Sequence, residues 1–187
     1  MILLSVHGWK IMVDIQDNFL DPQQFFELQK NLCGGDFPWY WQPNVAYDVI
    51  PDELLECNRL DNWQFGHMFY WLDCPQSSWY PKARILLDAM QSNITALMRV
   101  KANCNPVTKE HIEHGYHTDM NKLTQEPLDN TTSIFYLNTN NGSTKFKDGT
   151  VVDCVANRLI TFPNSMEHTG ITCTDQKNKI TLNINYF

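Results

Sequence analysis

From residue 97 onward the sequence is cut at short intervals by turn residues, and that punctuation limits what the chain can fold into more than any other feature. Asn138–Gly142, Lys147-Asp148-Gly149, Ala156-Asn157, Pro163-Asn164-Ser165 and Asp175–Asn178 each contain Asn, Asp, Gly or Pro, the residues that reverse a chain sharply. Around and between them lie β-prone runs: Leu97–Asn103, Gly115–Asp119, Thr132–Asn138, Thr144–Phe146, Thr150–Val155, Arg158–Phe162, His168–Cys173 and Lys179–Tyr186. Eight short antiparallel strands in about ninety residues, after a helical front, predict a jelly roll, the cupin-like double-stranded β-helix whose mouth can hold a ligand. In that connectivity the first strand pairs with the eighth and the second with the seventh.

The front half reads differently. Asp21-Pro22 opens a helix over Gln23–Leu32, with Phe25, Phe26, Leu28 and Leu32 as a broad apolar face and Gly34-Gly35 as its stop. Pro81 to Met98 carries Ile85, Leu86, Ala89, Met90, Ile94 and Leu97 at helical spacing and leads straight into a strand. The aromatic stretch Phe37–Trp41 and the partly alternating Gln64–Trp71 suggest extended segments packed on a core. The 187 residues fit one domain, with 1–96 as a mixed buttress and 97–187 as the jelly-roll core.

Apolar residues make up 43% of the chain and aromatic residues 12%, enough for a core and too much for intrinsic disorder. The formal charge of −7 argues against a nucleic acid as the main partner. No apolar run is long enough to span a bilayer, and no export signal is spelled out, so a cytoplasmic location with reduced thiols is expected. The six cysteines are scattered without a Cys-x-x-Cys pair and read as small apolar residues rather than zinc or redox ligands.

The pairing scheme gives two histidines and an aspartate chemical meaning. His117-Thr118-Asp119 falls on the second strand and His168 opens the seventh, so the scheme brings them together at one end of the barrel. Alternation puts the His117 imidazole and the Asp119 carboxylate on one side. Two imidazoles and one carboxylate on one face of an octahedron leave three adjacent positions open, the ligand set of non-haem Fe(II) oxygenases. A lone His-x-Asp arises often by chance, and an exposed strand bearing a salt-bridged histidine looks the same. Lys179 and Thr181 share a face of the last strand, a cation and a hydroxyl suited to a distal carboxylate, although Lys179 taken alone reads as a solvated charge.

With these residues the second half resembles the iron(II)- and 2-oxoglutarate-dependent dioxygenases, particularly their prolyl 4-hydroxylase-like branch and the small oxygenases of marine bacteriophages. The phrases that carry the resemblance are Leu97–Asn103, Tyr116-His117-Thr118-Asp119, Ser133–Gly142, Asn157–Phe162 and Thr181–Phe187; residues 17–41 are similar to the front of such viral proteins. The resemblance implies that His117, Asp119 and His168 bind Fe(II). It also implies that Lys179, assisted by Thr181, pairs with the 5-carboxylate of 2-oxoglutarate, and that ascorbate supports turnover. Many relatives have arginine at the cation position, and a lysine there exchanges a bidentate fork for a point charge. Tyr136 and Asn103 are further co-substrate candidates; a tyrosine common in the family three residues before the first histidine is His114 here. The implied reaction is hydroxylation of a C–H bond with release of succinate and CO2, since Asp119 stands where halogenating relatives have a small residue.

The substrate implied is a peptidyl proline or another peptide or protein side chain, with small molecules open. A non-enzymatic cupin-like module that holds a metal or ligand is the competing reading. Outside the triad, His111 and His114 are expected in a solvated loop near the mouth, and His7 and His67 are expected to be structural. Arg158 is expected to pair with a nearby carboxylate, and Arg99 to pack its stem. Met120–Asn130 has the length of a lid.

Overall fold

In chain order the elements are β1 (Asp14–Gln16), α1 (Pro22–Cys33), β2 (Tyr40–Gln42), β3 (Gln64–Trp71), β4 (Cys74–Pro75), α2 (Tyr80–Met90), β5 (Leu97–Pro106), β6 (Thr131–Tyr136), β7 (Ser143–Phe146), β8 (Val151–Asp153), β9 (Arg158–Pro163), β10 (His168–Ile171) and β11 (Asn178–Tyr186). They come from a computed structural model that describes residues 13–45, 62–120 and 129–187. His7, Cys57 and most of the expected lid lie outside the described residues. The larger sheet runs β1-β9-β6-β11-β5-β3-β2, with β4 on β3, and the smaller runs β10-β7-β8. This is the jelly roll expected from the turn spacing, extended at its edges by strands from the front half.

Alternation along the central strands separates two environments. Val100, Ala102 and Cys104 of β5 and Ile180, Leu182 and Ile184 of β11 face a cluster with Leu28 and Leu32 of α1 and Leu86 and Met90 of α2. Their neighbours on the opposite face, Arg99, Lys101, Asn103 and Asn105 of β5 and Lys179, Thr181 and Asn183 of β11, line a cavity inside the barrel. A second apolar cluster of Ile134, Tyr136, Phe146, Val152, Cys154, Ile160 and Phe162 fills the rest of the interior. The helices therefore seal the outside of the sheet while the inside of β5 and β11 stays polar. Each fully buried leucine in such a seam contributes about 1.5–3 kcal/mol relative to exposure.

Helix α1 starts as expected: the Asp21 carboxylate accepts from the backbone N–H groups of Gln23 and Gln24, and Pro22 takes the first turn. It stops at Gly34, where a Cβ would lie 2.8 Å from the Lys30 carbonyl oxygen. Phe26, expected on the buried face, is 65% exposed. Helix α2 is shorter than its periodicity suggested. It gives way after Met90 to a 3-10 turn over Gln91–Asn93, because the N–H groups of Thr95 and Ala96 are already bonded to the Phe187 carbonyl beside β11. No helix among the described residues is long and apolar enough to cross a membrane.

The second expected strand is the main departure. Gly115–Asp119 is not a regular strand; the segment touches β10 through isolated bridges, Glu113↔Ile171 and His117↔His168. The register slips by one residue between these bridges, as a β-bulge would make it, and such irregularities near sites re-aim side chains. The pairing of first with eighth strand is intact, from Asn178↔Pro106 to Tyr186↔Leu97.

Candidate active site

The two histidines are joined through their backbones. His117 N–H donates to the His168 carbonyl at 3.0 Å, and His168 N–H returns the bond at 2.9 Å. Each ring then bonds through Nδ1 to the carbonyl two residues earlier, His117 to Gly115 at 3.2 Å and His168 to Met166 at 3.1 Å. A carbonyl only accepts, so Nδ1 carries the proton and Nε2 presents its lone pair. The Gly115 carbonyl is available for this because it lies in the irregular stretch between the two bridges. His117 Nε2 is 3.9 Å from Asp119 Oδ1, and the ligand atoms of His117, Asp119 and His168 all lie within 4.8 Å of one another.

Burial against Phe146 and Phe162 brings His168 down to about 4, so its ring is neutral at physiological pH, the form that binds metal. Burial alone would disfavour the charge on Asp119, but the Arg99 guanidinium, with His168 and His117 close by, holds its carboxyl well below the usual range. Arg99 Nη2 meets Asp119 Oδ2 at 2.8 Å, and Arg99 Nε donates to Asn185 Oδ1 at 2.7 Å. Asn185 Nδ2 donates to the same Asp119 oxygen at 3.2 Å, leaving Oδ1 turned toward the histidines. A buried His₂-carboxylate group with both rings oriented fits Fe(II) in its donor chemistry.

The cavity beside this group measures about 430 Å³. Lys179 enters it from β11, 4% exposed, its ammonium donating to the backbone carbonyls of Ser143 and Ile171. Burial holds that ammonium below its ordinary value, and among the described residues no carboxylate pairs with it. A buried cation whose partners are two carbonyls and the Cys154 thiol has no carboxylate to balance its charge, which fits the carboxylate of a diacid such as 2-oxoglutarate. Thr181 and Asn103 line the same cavity, both donating to Asn183 Oδ1, at 3.1 and 3.2 Å.

Tyr136 is placed differently from the other co-substrate candidates. It points into the barrel but is fully buried in the inner apolar cluster, and its hydroxyl donates to Thr144 at 2.7 Å. Thr144, not Tyr136, lines the cavity. His114 is 7% exposed and set against β10 rather than in a solvated loop; His111 is exposed, its ring bonded to the Thr172 carbonyl. Arg158 pairs bidentately with Asp17, as expected. Arg99 does more than pack its stem, and neither Asn185 nor Lys101 stood out from the sequence. The signal was available in the alternation of β5 and β11, which continues from Lys179 and Thr181 through Asn183 to Asn185.

No protein-family model matches the sequence, and no curated protein matches it. Solved structures do. A prolyl hydroxylase from Trichoplax adhaerens, in complex with a hypoxia-inducible-factor peptide fragment, superposes with a TM-score of 0.62 at 15% identity, covering 95% of this chain and 84% of that one. The viral collagen prolyl hydroxylase of Paramecium bursaria Chlorella virus 1, solved with 2-oxoglutarate, gives 0.54 at 14% identity over 94% and 96%. A non-haem α-ketoglutarate-dependent epimerase of nogalamycin biosynthesis gives 0.57 at 11% identity over 95% and 78%. The chain has the fold of the prolyl hydroxylases. The epimerase shows that this fold supports more than one outcome, so the reaction is argued from the site.

Proposed function

We propose that the protein is an Fe(II)- and 2-oxoglutarate-dependent dioxygenase that hydroxylates a C–H bond of its substrate. The observation that carries the reading is the His117, Asp119 and His168 face, oriented by Gly115, Met166, Arg99 and Asn185, in one cavity with the ammonium of Lys179. When bound, Fe(II) and 2-oxoglutarate supply the oxidising chemistry: O2 is consumed, 2-oxoglutarate becomes succinate and CO2, and the substrate gains one oxygen atom. The chain's own work is positional. His117, Asp119 and His168 would hold the metal, Lys179 with Thr181 would hold the distal carboxylate, and Phe146 and Phe162, packed on the His168 ring, would keep water from that side. A peptidyl proline is the first substrate class to test, because the fold is shared with prolyl hydroxylases and one of them was solved with a peptide.

The test is oxygen-dependent succinate formation by anaerobically purified protein given Fe(II), 2-oxoglutarate and ascorbate. Succinate is expected from the native chain and is lost in His168→Ala. Absence of both succinate and iron-dependent 2-oxoglutarate binding would overturn the reading and leave a metal- or ligand-binding module.

A further inference from the structure

The cavity holds a second ammonium that neither metal nor co-substrate requires. Lys101 sits at mid-strand on β5, between Met68 of β3 and Asn183 of β11, and its side chain lines the cavity. It is only partly exposed, and among the described residues it makes no hydrogen bond or ion pair. The neighbouring acid, Asp119, is already bound by Arg99 and Asn185 and faces the histidines. Lys179 lies on the far side of Asn183, four residues along β11, and supplies a separate cation for the co-substrate. A partly desolvated ammonium with no partner is unfavourable unless something anionic arrives to pair with it.

We infer that Lys101 binds a carboxylate of the substrate, so that the molecule oxidised is an amino acid, or a peptide whose reacting residue carries a free carboxylate, rather than an internal residue of a polypeptide. The inference rests on the dioxygenase reading and narrows its substrate. One ammonium with amide neighbours balances one negative charge, which suits a carboxylate better than a phosphate dianion. Met68 and Trp71 line the cavity on the same side and offer apolar surface for the body of the substrate. Internal prolyl peptides carry no such charge near the reacting carbon.

The experiment uses the full chain with Fe(II) and 2-oxoglutarate. Matched pairs of compounds are added: free amino acids and short proline-ending peptides, each beside its C-terminal carboxamide. Oxygen-dependent succinate is compared within each pair, and 2-oxoglutarate binding is measured anaerobically in parallel. For at least one pair the acid is expected to stimulate turnover about tenfold or more over the amide, the size of one charge-assisted contact. That preference should collapse in Lys101→Met and persist in Lys101→Arg, which also guards against a folding defect in the first variant. A native protein that binds 2-oxoglutarate but favours no acid over its amide overturns the inference and leaves the dioxygenase reading standing. Loss of 2-oxoglutarate binding in Lys101→Met as severe as in Lys179→Met also overturns it, because the ammonium would then belong to the co-substrate. A native chain that binds no 2-oxoglutarate overturns the reading itself.

Discussion

Arg99 shows how much of the candidate metal site lies outside its proposed ligands. Its guanidinium makes the ion pair that keeps Asp119 charged in a buried position, and its Nε fixes Asn185, which bonds the same carboxylate oxygen. Removing it leaves a buried carboxylate without its main compensation. Arg99→Met is therefore expected to weaken Co(II) or Fe(II) binding by about 10–100-fold, the range for loss of a partner that orients a ligand. Titration of the metal against the variant checks this, and Arg99→Lys should recover part of the loss. Lys101 gives a prediction of opposite character. Burial, with Arg99 nearby and only Asp119 opposing, brings its ammonium down to about 8 from 10.5 in the unfolded chain. Between those values the unfolded chain binds the extra proton, so stability rises with pH through that window. Lys101→Met is expected to be more stable than the native chain at pH 7, with the difference shrinking toward pH 10, as read from urea midpoints.

Much of the fold is legible in the sequence because its elements are short and sharply bounded. Asp21, Pro22 and Gly34 marked α1 to within a residue, and Asp21→Ala is expected to lower stability by about 1 kcal/mol, the usual loss of an N-cap. The turns at Lys147-Asp148-Gly149 and Ala156-Asn157 were equally legible, since Gly149 and Asn157 adopt positive φ. Reading failed where tertiary bonds overrode local pattern. The end of α2 yields to backbone bonds with Phe187, and the His117 segment gives up a regular strand for bridges on either side of a register slip. Periodicity cannot reveal either, because the partner in each case lies far along the chain. The triad could be named from His-x-Asp and a distant histidine; Arg99, Asn185 and Lys101 required knowing that the polar face of β5 points inward. On the other face of the sheet, Leu182→Ala is expected to cost about 2–5 kcal/mol, since Leu182 is fully buried between the sheet and the helices.

The site also couples parts of the molecule that the chain holds together only weakly. His117 and Asp119 reach β10 and β11 through the bridge at His168, the bond from Asn185 and the ion pair with Arg99, rather than through a continuous ladder. Among the described residues this segment forms no regular strand and pairs with β10 only through the bridges Glu113↔Ile171 and His117↔His168. A metal that ligates His117, Asp119 and His168 joins the segment to the smaller sheet and binds only the folded arrangement. Ligand binding of this kind stabilises the native state by about 2.7 kcal/mol at a hundredfold excess over Kd. For a domain of this size that corresponds to a rise in Tm of about 5–11 °C. Thermal unfolding of EDTA-treated protein before and after addition of Mn(II), which avoids turnover, is expected to show that rise. His168→Ala should show none. The rise in Asp21→Ala should match that of the native chain, because its helix cap lies on the outside of the sheet and touches no ligand. If Mn(II) raises the Tm of native protein and His168→Ala equally, the metal is bound elsewhere and the His117, Asp119 and His168 face is not its site.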